Sequence, residues 1–434
     1  MTTIGLSYGF HDAAYCYLEG QDIIEAHHSE RHSRKKNDRK LHVDINGFTV
    51  FYEKPFKKNI RRLLYGQSWV TRDKHNAYVD HHWSHAAAAY YTRPFKEEPV
   101  CVVIDAIGEW DTASIWYNKK KKWSMRYPKS LGLFYSAVTK AIGLKPNEDE
   151  YITMGMAAYG TSHIKIDPYN NYHQGIYLPR ELSVNDIAAS AQAIIEYEII
   201  KIMTRARKYS RYLCYGGGVA LNCVANSKVH SMFDKMWILP NPGDAGSSLG
   251  TAAAYLDKQL NWIDPYLGTD IKRDVNVKEV VSYLIDNSYC GVANGRAEFG
   301  PRALGNRSLI ADPRKDIKDT VNQIKRRQKF RPFAPAILEE FADEYFEGPM
   351  NEYMQYVAKA KHDHKSVTHV DGTARVQVVK KDCKSVIRPI LEEWYEQTKC
   401  PMLLNTSLNI KGKPMVDNIN QAKGFEKLYG IKVF

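Results

Sequence analysis

The sequence predicts an α/β protein with two similar lobes, followed by a further α+β domain. A three-strand pattern occurs twice, beginning near residues 3 and 100, and sequence with helical periodicity follows each copy. Near residue 266 the pattern is interrupted by Pro and Gly. We therefore expect two domains, residues 1–265 and residues 266–434.

Each copy of the pattern consists of three short apolar runs separated by turn residues. The predicted strands are 3–8, 13–18 and 23–27 in the first copy, and 100–104, 112–117 and 123–127 in the second. Helices are predicted at 184–204, 244–256 and 277–287, with strands at 212–215 and 289–293. Repeated meanders with crossover helices are typical of the actin-like ATPase fold, in which turns from both lobes hold nucleotide phosphates.

The composition is that of a globular protein, with 44% hydrophobic, 25% charged and 12% aromatic residues. No run approaches the ~18 apolar residues of a membrane span, and the first residues lack the features of a signal peptide. We expect a cytoplasmic protein without a membrane partner. Seven widely spaced cysteines without a Cys-x-x-Cys pair indicate reduced thiols and argue against a disulfide framework.

The net charge of +12 favours polyanionic partners, which include nucleotides, phosphates and nucleic acid. A merely soluble basic surface explains the same charge equally well. Charge alone therefore leaves both interpretations open.

A metal site is predicted from His81 and His85, which lie in an alanine-rich helical segment and share one helix face. Two acids at predicted strand ends and turns, Asp105 and Asp244, supply the further ligands. Such nitrogen and oxygen donors suit iron(II), which we favour, and also manganese or zinc. The alternative is a pair of structural histidines.

Two glycine-rich turns are candidates for binding ATP, because backbone without a Cβ can approach phosphate closely. Mg²⁺ is an optional companion of the nucleotide. The residues of these turns assigned to nucleotide binding are Gly216, Gly217, Gly218, Asn222 and Gly243.

Arginine is concentrated at 295–314 and 325–335, where it alternates with Gly, Pro and aromatic residues. Guanidinium groups match phosphate oxygens in pairs, so this pattern favours a shaped anion pocket over a nucleic-acid patch. Segments 369–375 and 405–409 fit the same pocket.

These motifs resemble the carbamoyltransferase family of the nodulation-factor, cephamycin and tobramycin O-carbamoyltransferases. The most specific is Gly-Arg-Ala-Glu-Phe-Gly-Pro-Arg-Ala-Leu-Gly-Asn-Arg-Ser at 295–308. The chain is shorter than the antibiotic enzymes, mainly between residues 160 and 210 and in the later domain. The match at 295–308 continues to residue 314, and the other matching segments are 9–13, 29–38, 81–85, 105–110, 145–160, 216–223, 330–335, 369–377 and 405–409.

The resemblance implies a YrdC-like second domain that forms carbamoyl-adenylate from carbamoyl phosphate and ATP, and an actin-like first domain that transfers the carbamoyl group to a hydroxyl. It implies that the metal ligands are His81, His85, Asp105 and Asp244. The catalytic pair that it implies is His11 and Asp12. The carbamoyl phosphate ligands that it implies are Arg302, Lys325, Arg331, Arg375 and Ser407.

The acceptor is left open by the sequence. A hydroxymethyl-pyrimidine, as a nucleotide or in DNA, is one expectation, and a sugar or antibiotic hydroxyl is the other. Two other classes of function are a nucleic-acid-binding protein without turnover and an actin-like sugar kinase, which would not need the arginine-rich segment. The sequence does not indicate the oligomeric state.

Overall fold

The computed structural model describes residues 2–179, 181–362 and 364–434. The chain packs into two compact units, the first formed by Met1–Ile24 and Val43–Trp262, the second by Glu25–His42 and Ile263–Phe434. The early segment of the second unit contains helix α1 (Ser29–Ser33). In the described parts of the chain, no helix has both the length and the apolar character needed to cross a bilayer.

The first unit contains two five-stranded sheets. The strands of one are β1 (Thr2–Ser7), β2 (Ala14–Glu19), β3 (Asp22–His28, of which 22–24 belong to this unit), β4 (Phe48–Phe51) and β5 (Ala77–Tyr78). The strands of the other are β6 (Val100–Ile104), β7 (Asp111–Tyr117), β8 (Lys120–Arg126), β9 (Tyr212–Gly216) and β10 (Lys235–Ile238).

The two sheets have the same topology. Their strand orders are β3-β2-β1-β4-β5 and β8-β7-β6-β9-β10. In each, the first strand pairs antiparallel with the second and parallel with the fourth. The duplication expected from the sequence is therefore confirmed, and the first unit has the actin-like arrangement of two related α/β lobes.

Helices lie between and beside these sheets. Helix α3 packs on β6 and β9, helix α8 packs on β1, β2 and β4, and the two helices pack on each other. The first turn expected of α8, Asp244–Gly246, is instead a 3-10 helix. The α-helices of the first unit are α2 (Pro55–Leu64), α3 (His81–Tyr90), α4 (Leu131–Ala141), α5 (Glu150–Met156), α6 (Val184–Arg207), α7 (Cys223–His230) and α8 (Ser247–Leu256).

Local sequence explains where several helices begin and end. The side chains of Ser183 and Asn276 accept hydrogen bonds from backbone N–H groups in the first turns of α6 and of helix α9 (Val277–Asn287). Ser288 then ends α9 in the left-handed conformation. The seven cysteines are free thiols.

The second unit is built around a five-stranded sheet of order β12-β14-β20-β15-β19, in which only β15 and β19 are parallel. The strands of the whole second unit, including those outside this sheet, are β11 (Tyr266–Ile271), β12 (Tyr289–Ala293), β13 (Gly295–Glu298), β14 (Arg307–Ala311), β15 (Ala334–Leu338), β16 (Phe346–Glu347), β17 (Ala358–Ala360), β18 (Thr373–Ala374), β19 (Gln377–Val379) and β20 (Met402–Ser407). Its later helices are α9, α10 (Lys318–Ile324), α11 (Ala342–Tyr345), α12 (Ile387–Thr398) and α13 (Ile419–Tyr429).

Part of the arginine-rich motif stabilises the fold of the second unit. Arg307 is fully buried, and Glu298 accepts hydrogen bonds from the backbone N–H groups of Leu304, Asn306 and Arg307. The carbonyl groups that accept from the Arg307 guanidinium, at 2.7–3.1 Å, belong to Thr269, Asn294, Gly295, Asn306 and Asp417. These contacts join β11, the β12–β13 turn and the segment before α13.

We predict that Arg307→Ala lowers the free energy of unfolding by about 3 kcal/mol or more, because each buried carbonyl left unpaired costs about 1–3 kcal/mol. Arg307→Lys should recover only part of the loss, since an ammonium cannot reproduce the planar fork. Urea unfolding followed by circular dichroism measures the effect, with Lys399→Ala, whose side chain is 71% exposed, as control. Equal stability of Arg307→Ala and the control would contradict this role.

Candidate functional site

Two histidines face each other on the first turns of α3. His81 and His85 are four residues apart, are 2% and 1% exposed, and have their Nε2 atoms 3.2 Å apart. A run of alanines completes the helix and lets it pack closely between its neighbours. Residues at this spacing lie on one helix face, so both imidazoles point to the same place.

Two acids complete the group. Asp105 follows β6, and its Oδ2 lies 3.1 Å from Nε2 of His81. Asp244 opens the 3-10 turn before α8, and its Oδ1 lies 3.2 Å from Nε2 of His85. One donor atom from each of the four residues lies within 4.8 Å of the others. The structure thus brings together the four side chains that the sequence singled out as ligands.

The hydrogen bonds around this group leave its donor atoms aimed inward. Nδ1 of His85 lies 3.1 Å from the Pro242 carbonyl, so Nδ1 donates there, and the neutral ring would offer the lone pair of Nε2 to a metal. Oδ1 of Asp105 accepts from the backbone N–H of Gly218, which leaves Oδ2 for the centre. Two imidazoles and two carboxylates fit a divalent transition metal, with no thiolate among the four donors.

Charge balance supports the same conclusion. Although burial opposes ionisation, the hydrogen bonds from His81 and His85 hold the pKa values of Asp105 and Asp244 below their ordinary range. Burial lowers the pKa of His81, but Asp105 and Asp244 outweigh it and raise that pKa to about 9. Two buried carboxylates thus attract positive charge, which a metal ion would supply in place of the histidine proton.

Two neighbours have supporting positions. His82 lies off the shared face, with Nδ1 2.8 Å from Ser114 Oγ, and burial lowers its pKa to about 3. Glu109 accepts from the backbone N–H groups of Lys54 and His81, at 2.8 and 3.1 Å, and so fixes the beginning of α3. Sequence reasoning missed Glu109, although its place in the turn after β6, four residues beyond Asp105, was a usable signal.

His11 and Asp12 form a pair beside this group. His11 Nδ1 lies 3.0 Å from Asp12 Oδ2, and both side chains are about one-third exposed (28% and 32%). Burial lowers the pKa of His11, but Asp12, then Asp244 and Asp105, raise it to about 9. His11 therefore lies within the electrostatic field of the two candidate carboxylate ligands.

The glycine turn after β9 packs directly against the site. A Cβ on Gly216 would lie 2.9 Å from the His85 carbonyl oxygen. Gly217 has φ +92°, and a Cβ there would lie 2.3 Å from the carbonyl oxygen of Ile104. These glycines let the turn after β9 approach both α3 and β6, as close packing of the four-residue group requires.

The two remaining residues assigned to the nucleotide differ in their surroundings. Asn222 accepts from the backbone N–H of Ala225, which caps α7, and exchanges two hydrogen bonds with the amide of Gln192. Gly243 opens the turn that carries Asp244, and the space beside its Cα is open. Nucleotide binding at these positions stays a prediction.

In the second unit, Lys325 lies beside Ser407. Lys325 is 4% exposed, and its Nζ donates to the Ser407 carbonyl, to Ser407 Oγ at 3.1 Å and to Asn409 Oδ1 at 2.8 Å. Burial lowers the pKa of Lys325 well below its ordinary value, and the charges of Arg327 and Arg331 add to that effect. All these partners are uncharged and both charged neighbours are cations, so an anion would complete the electrostatics.

An amide network ties together the segments that carry Arg302, Arg375 and Ser407. Asn405 donates to the Ala303 carbonyl at 3.1 Å and to Gln377 Oε1 at 2.7 Å, and Gln377 donates to the Leu304 carbonyl. The network thus touches the chain within two residues of each of these three predicted ligands. Within the described residues, Nε of Arg375 is buried without a hydrogen-bond partner.

Gln377, Asn405 and Asn409 were missed as individual site residues. Asn405 and Asn409 lie in a segment that the sequence analysis assigned to the pocket, so their polar side chains were a signal. Gln377 ends the matching segment 369–377 but has no distinctive local pattern.

Two family descriptions match the chain. Residues 281–433 match the carbamoyltransferase C-terminus, and residues 45–182 and 174–253 match the carbamoyltransferase N-terminus. An uncharacterized protein of Synechocystis sp., sll1178, is 30% identical over 95% of this chain and 92% of its own length. Nodulation protein NolO of Bradyrhizobium diazoefficiens is 30% identical over 79% of this chain and 75% of its own.

Among solved structures, the activator of 2-hydroxyisocaproyl-CoA dehydratase from Clostridium difficile aligns over 59% of this chain and 95% of its own. The TM-score is 0.38 and the sequence identity is 14%.

We predict that the double variant His81→Ala/His85→Ala loses the divalent metal that the wild type retains, because half of the donor set is removed. In the wild type, apparent metal affinity should fall as the pH drops below about 9, since protons compete for His81. Elemental analysis after dialysis measures both effects, with exposed His230→Ala as control. Full metal content in the double variant would mean that the histidines are structural.

Proposed function

The chain belongs to the carbamoyltransferase family, and from that premise we propose that it uses ATP to move the carbamoyl group of carbamoyl phosphate onto an acceptor hydroxyl. The observation that carries the proposal is the buried ammonium of Lys325, held by Ser407 and Asn409 without a carboxylate among these partners. Such a group suits a phosphate-bearing substrate, because an anion restores the stability of its charged form.

The second unit is proposed to be the YrdC-like, carbamoyl-adenylate-forming part. Carbamoyl phosphate would lose phosphate to water, and the resulting carbamate oxygen would attack the α-phosphorus of ATP with release of pyrophosphate. The negative charge that develops in both steps would be neutralised by Lys325, Arg331, Arg375 and Arg302. The support is the cluster around Lys325 and the unpaired Nε of Arg375.

The first unit is proposed to carry out the transfer. The acceptor hydroxyl would attack the carbamoyl carbon of carbamoyl-adenylate, and AMP would leave. A divalent metal held by His81, His85, Asp105 and Asp244, with iron(II) favoured, would supply Lewis acidity there. The nucleotide, as ATP-derived carbamoyl-adenylate, would face the glycine turns at Gly216–Gly218 and Gly243 with its phosphate.

The proton of the acceptor hydroxyl is assigned to the His11 and Asp12 pair. The pKa of His11 is raised to about 9 by Asp12, Asp244 and Asp105, against the lowering effect of burial. A bound metal would neutralise the charge of Asp244 and Asp105. The pKa of His11 would then fall towards the range in which the imidazole is neutral and can accept a proton. Proton acceptance and metal binding would therefore be linked.

The proposed acceptor is a hydroxymethyl-pyrimidine, as a nucleotide or in DNA, with a sugar or antibiotic hydroxyl as the alternative. The net charge of +12 and the 29 tyrosines support it, since aromatic rings stack on bases. Part of the basic run 34–40 is already used within the chain, because Arg34 donates to backbone carbonyls and Lys36 pairs with Glu30. The exposed cations of this run are Lys35, Lys36, Arg39 and Lys40.

A nucleic-acid-binding protein without turnover is the competing class of function. It is supported by the net charge alone. Salt-sensitive binding to DNA in a protein that consumes neither ATP nor carbamoyl phosphate would favour this class over the transferase.

We predict that Lys325→Ala and Arg375→Ala each reduce carbamoyl phosphate-dependent release of pyrophosphate by about 100-fold or more, because each removes a cation aimed at the anion. A coupled pyrophosphate assay measures the rate, with circular dichroism to confirm folding. Lys329→Ala, which removes a 79% exposed cation nearby in sequence, should keep the wild-type rate. Normal release in either folded variant would refute the anion-site assignment.

We further predict that His11→Ala keeps carbamoyl phosphate-dependent pyrophosphate release but yields no carbamoylated acceptor, since only the transfer step needs the base. Hydroxymethyl-pyrimidine is offered as nucleotide, single strand and duplex, and the products are digested and weighed by mass spectrometry. Loss of both half-reactions in folded His11→Ala would remove His11 from the transfer step. If the wild type releases pyrophosphate but carbamoylates none of the three, the acceptor is a sugar hydroxyl instead.

A further inference from the structure

A second concentration of positive charge lies in the second unit, apart from the residues around Lys325. It is a concavity of about 500 Å³, within the range of small-molecule sites. Neither Lys325 nor Ser407 belongs to its lining, and nor do the predicted arginine ligands. The lining residues are Arg273, Ala422, Lys423, Glu426, Lys427, Lys432 and Val433.

Three parts of the chain hold these cations in place. Lys423 and Lys427 are four residues apart on α13, so they share one face of that helix. Lys432 follows the helix after Gly430 ends it, and the neighbouring Val433 forms a bridge to β12. Arg273 follows β11, and its carbonyl accepts from the Asn294 side chain at 2.6 Å. The positions of these four cations are therefore fixed by the backbone of the second unit.

The charges of the concavity do not balance. Four cations face one acid, Glu426, and that acid already accepts from the Val433 backbone N–H at 3.1 Å. Its other oxygen is 3.9 Å from Lys432 Nζ, too far for a strong hydrogen bond. The single negative charge of Glu426 is therefore shared among the four cations of this lining, which keeps a net positive charge.

The guanidinium of Arg273 gives the most direct indication of a ligand. Its Nε and Nη2 are buried, and neither has a hydrogen-bond partner within the described residues. Buried polar atoms of proteins are almost always paired, so this residue of the lining has guanidinium donors that the protein itself does not satisfy. A guanidinium fork pairs with two oxygens of one phosphate group.

We propose that this concavity binds a diphosphate group, either free pyrophosphate or the phosphates of a nucleoside diphosphate. Arg273 would pair with one phosphate group, and Lys423, Lys427 and Lys432 would neutralise the rest of the charge. A diphosphate suits a compact group of four cations from three chain segments, whereas a nucleic-acid backbone needs an extended basic track. The proposal does not depend on what binds beside Lys325.

The test is a lysine-labelling footprint on the complete wild-type chain, read by peptide mass spectrometry. Pyrophosphate should protect Lys423, Lys427 and Lys432 from an amine-reactive reagent, while exposed Lys278 stays reactive. ADP is the second arm: protection by both assigns the site to the diphosphate group, and protection by ADP alone assigns it to a nucleoside diphosphate. No protection by either would overturn the proposal, as would protection by a DNA oligonucleotide alone.

Calorimetric titration with pyrophosphate provides the second measurement. Arg273→Ala should weaken binding about ten-fold or more, since it removes a charge-assisted pair. The matched control Lys278→Ala lowers the net charge equally but lies outside the lining, so it should keep the wild-type affinity. Equal weakening in both variants would mean that the net charge, and not this cavity, attracts the anion. The Lys325→Ala variant should still show the lysine footprint, which separates this site from the proposed carbamoyl phosphate pocket.

Discussion

The first unit depends on the balance of charge at one buried point, where Asp105 and Asp244 face His81 and His85. Two carboxylates can stay ionised away from water only when positive charge or hydrogen-bond donors compensate them. The surroundings meet that requirement residue by residue: Gly218 donates to Asp105, and Pro242 fixes the tautomer of His85. His81 begins α3, Asp105 follows β6 and Asp244 opens the 3-10 turn before α8, so three of the four side chains lie at an end of an element, and His85 lies one helical turn after His81.

The parts of the fold that the sequence predicted are those that local pattern controls. Alternating apolar residues and turn residues located the two meanders, whose shared strand order the structure confirms. The periodicity of 277–287 matched α9 at both ends, because Asn276 and Ser288 mark its limits. Among the site residues, the spacing of His81 and His85 and the turn positions of Asp105 and Asp244 were sufficient to group the four. The 3-10 turn at Asp244–Gly246 was not predicted, since one turn of either helix type has the same short pattern.

What the sequence could not provide depends on contacts between distant residues. The segment Glu25–His42 packs with the second unit although it precedes most of the first, and within it Arg34 donates to the carbonyls of Pro414 and Met415. No local composition distinguishes such a segment from the chain around it. Likewise, the support that Glu109 gives to α3 appears only when the backbone N–H of His81 is located in space.

The basic residues of the second unit show how burial and partners separate structure from function. Arg307 is buried, but five backbone carbonyls accept hydrogen bonds from its guanidinium. Its role is therefore to stabilise the fold of the second unit. Lys325 is also buried, yet its partners are uncharged and its charged neighbours are cations, so its charge would be compensated by an anion at the proposed site. In the sequence, Arg307 and Lys325 both belong to the arginine-rich segments, and nothing local distinguishes their roles. The difference arises because a guanidinium can be fully satisfied by neutral carbonyls at fixed angles, whereas a buried ammonium among other cations becomes favourable only when negative charge is added.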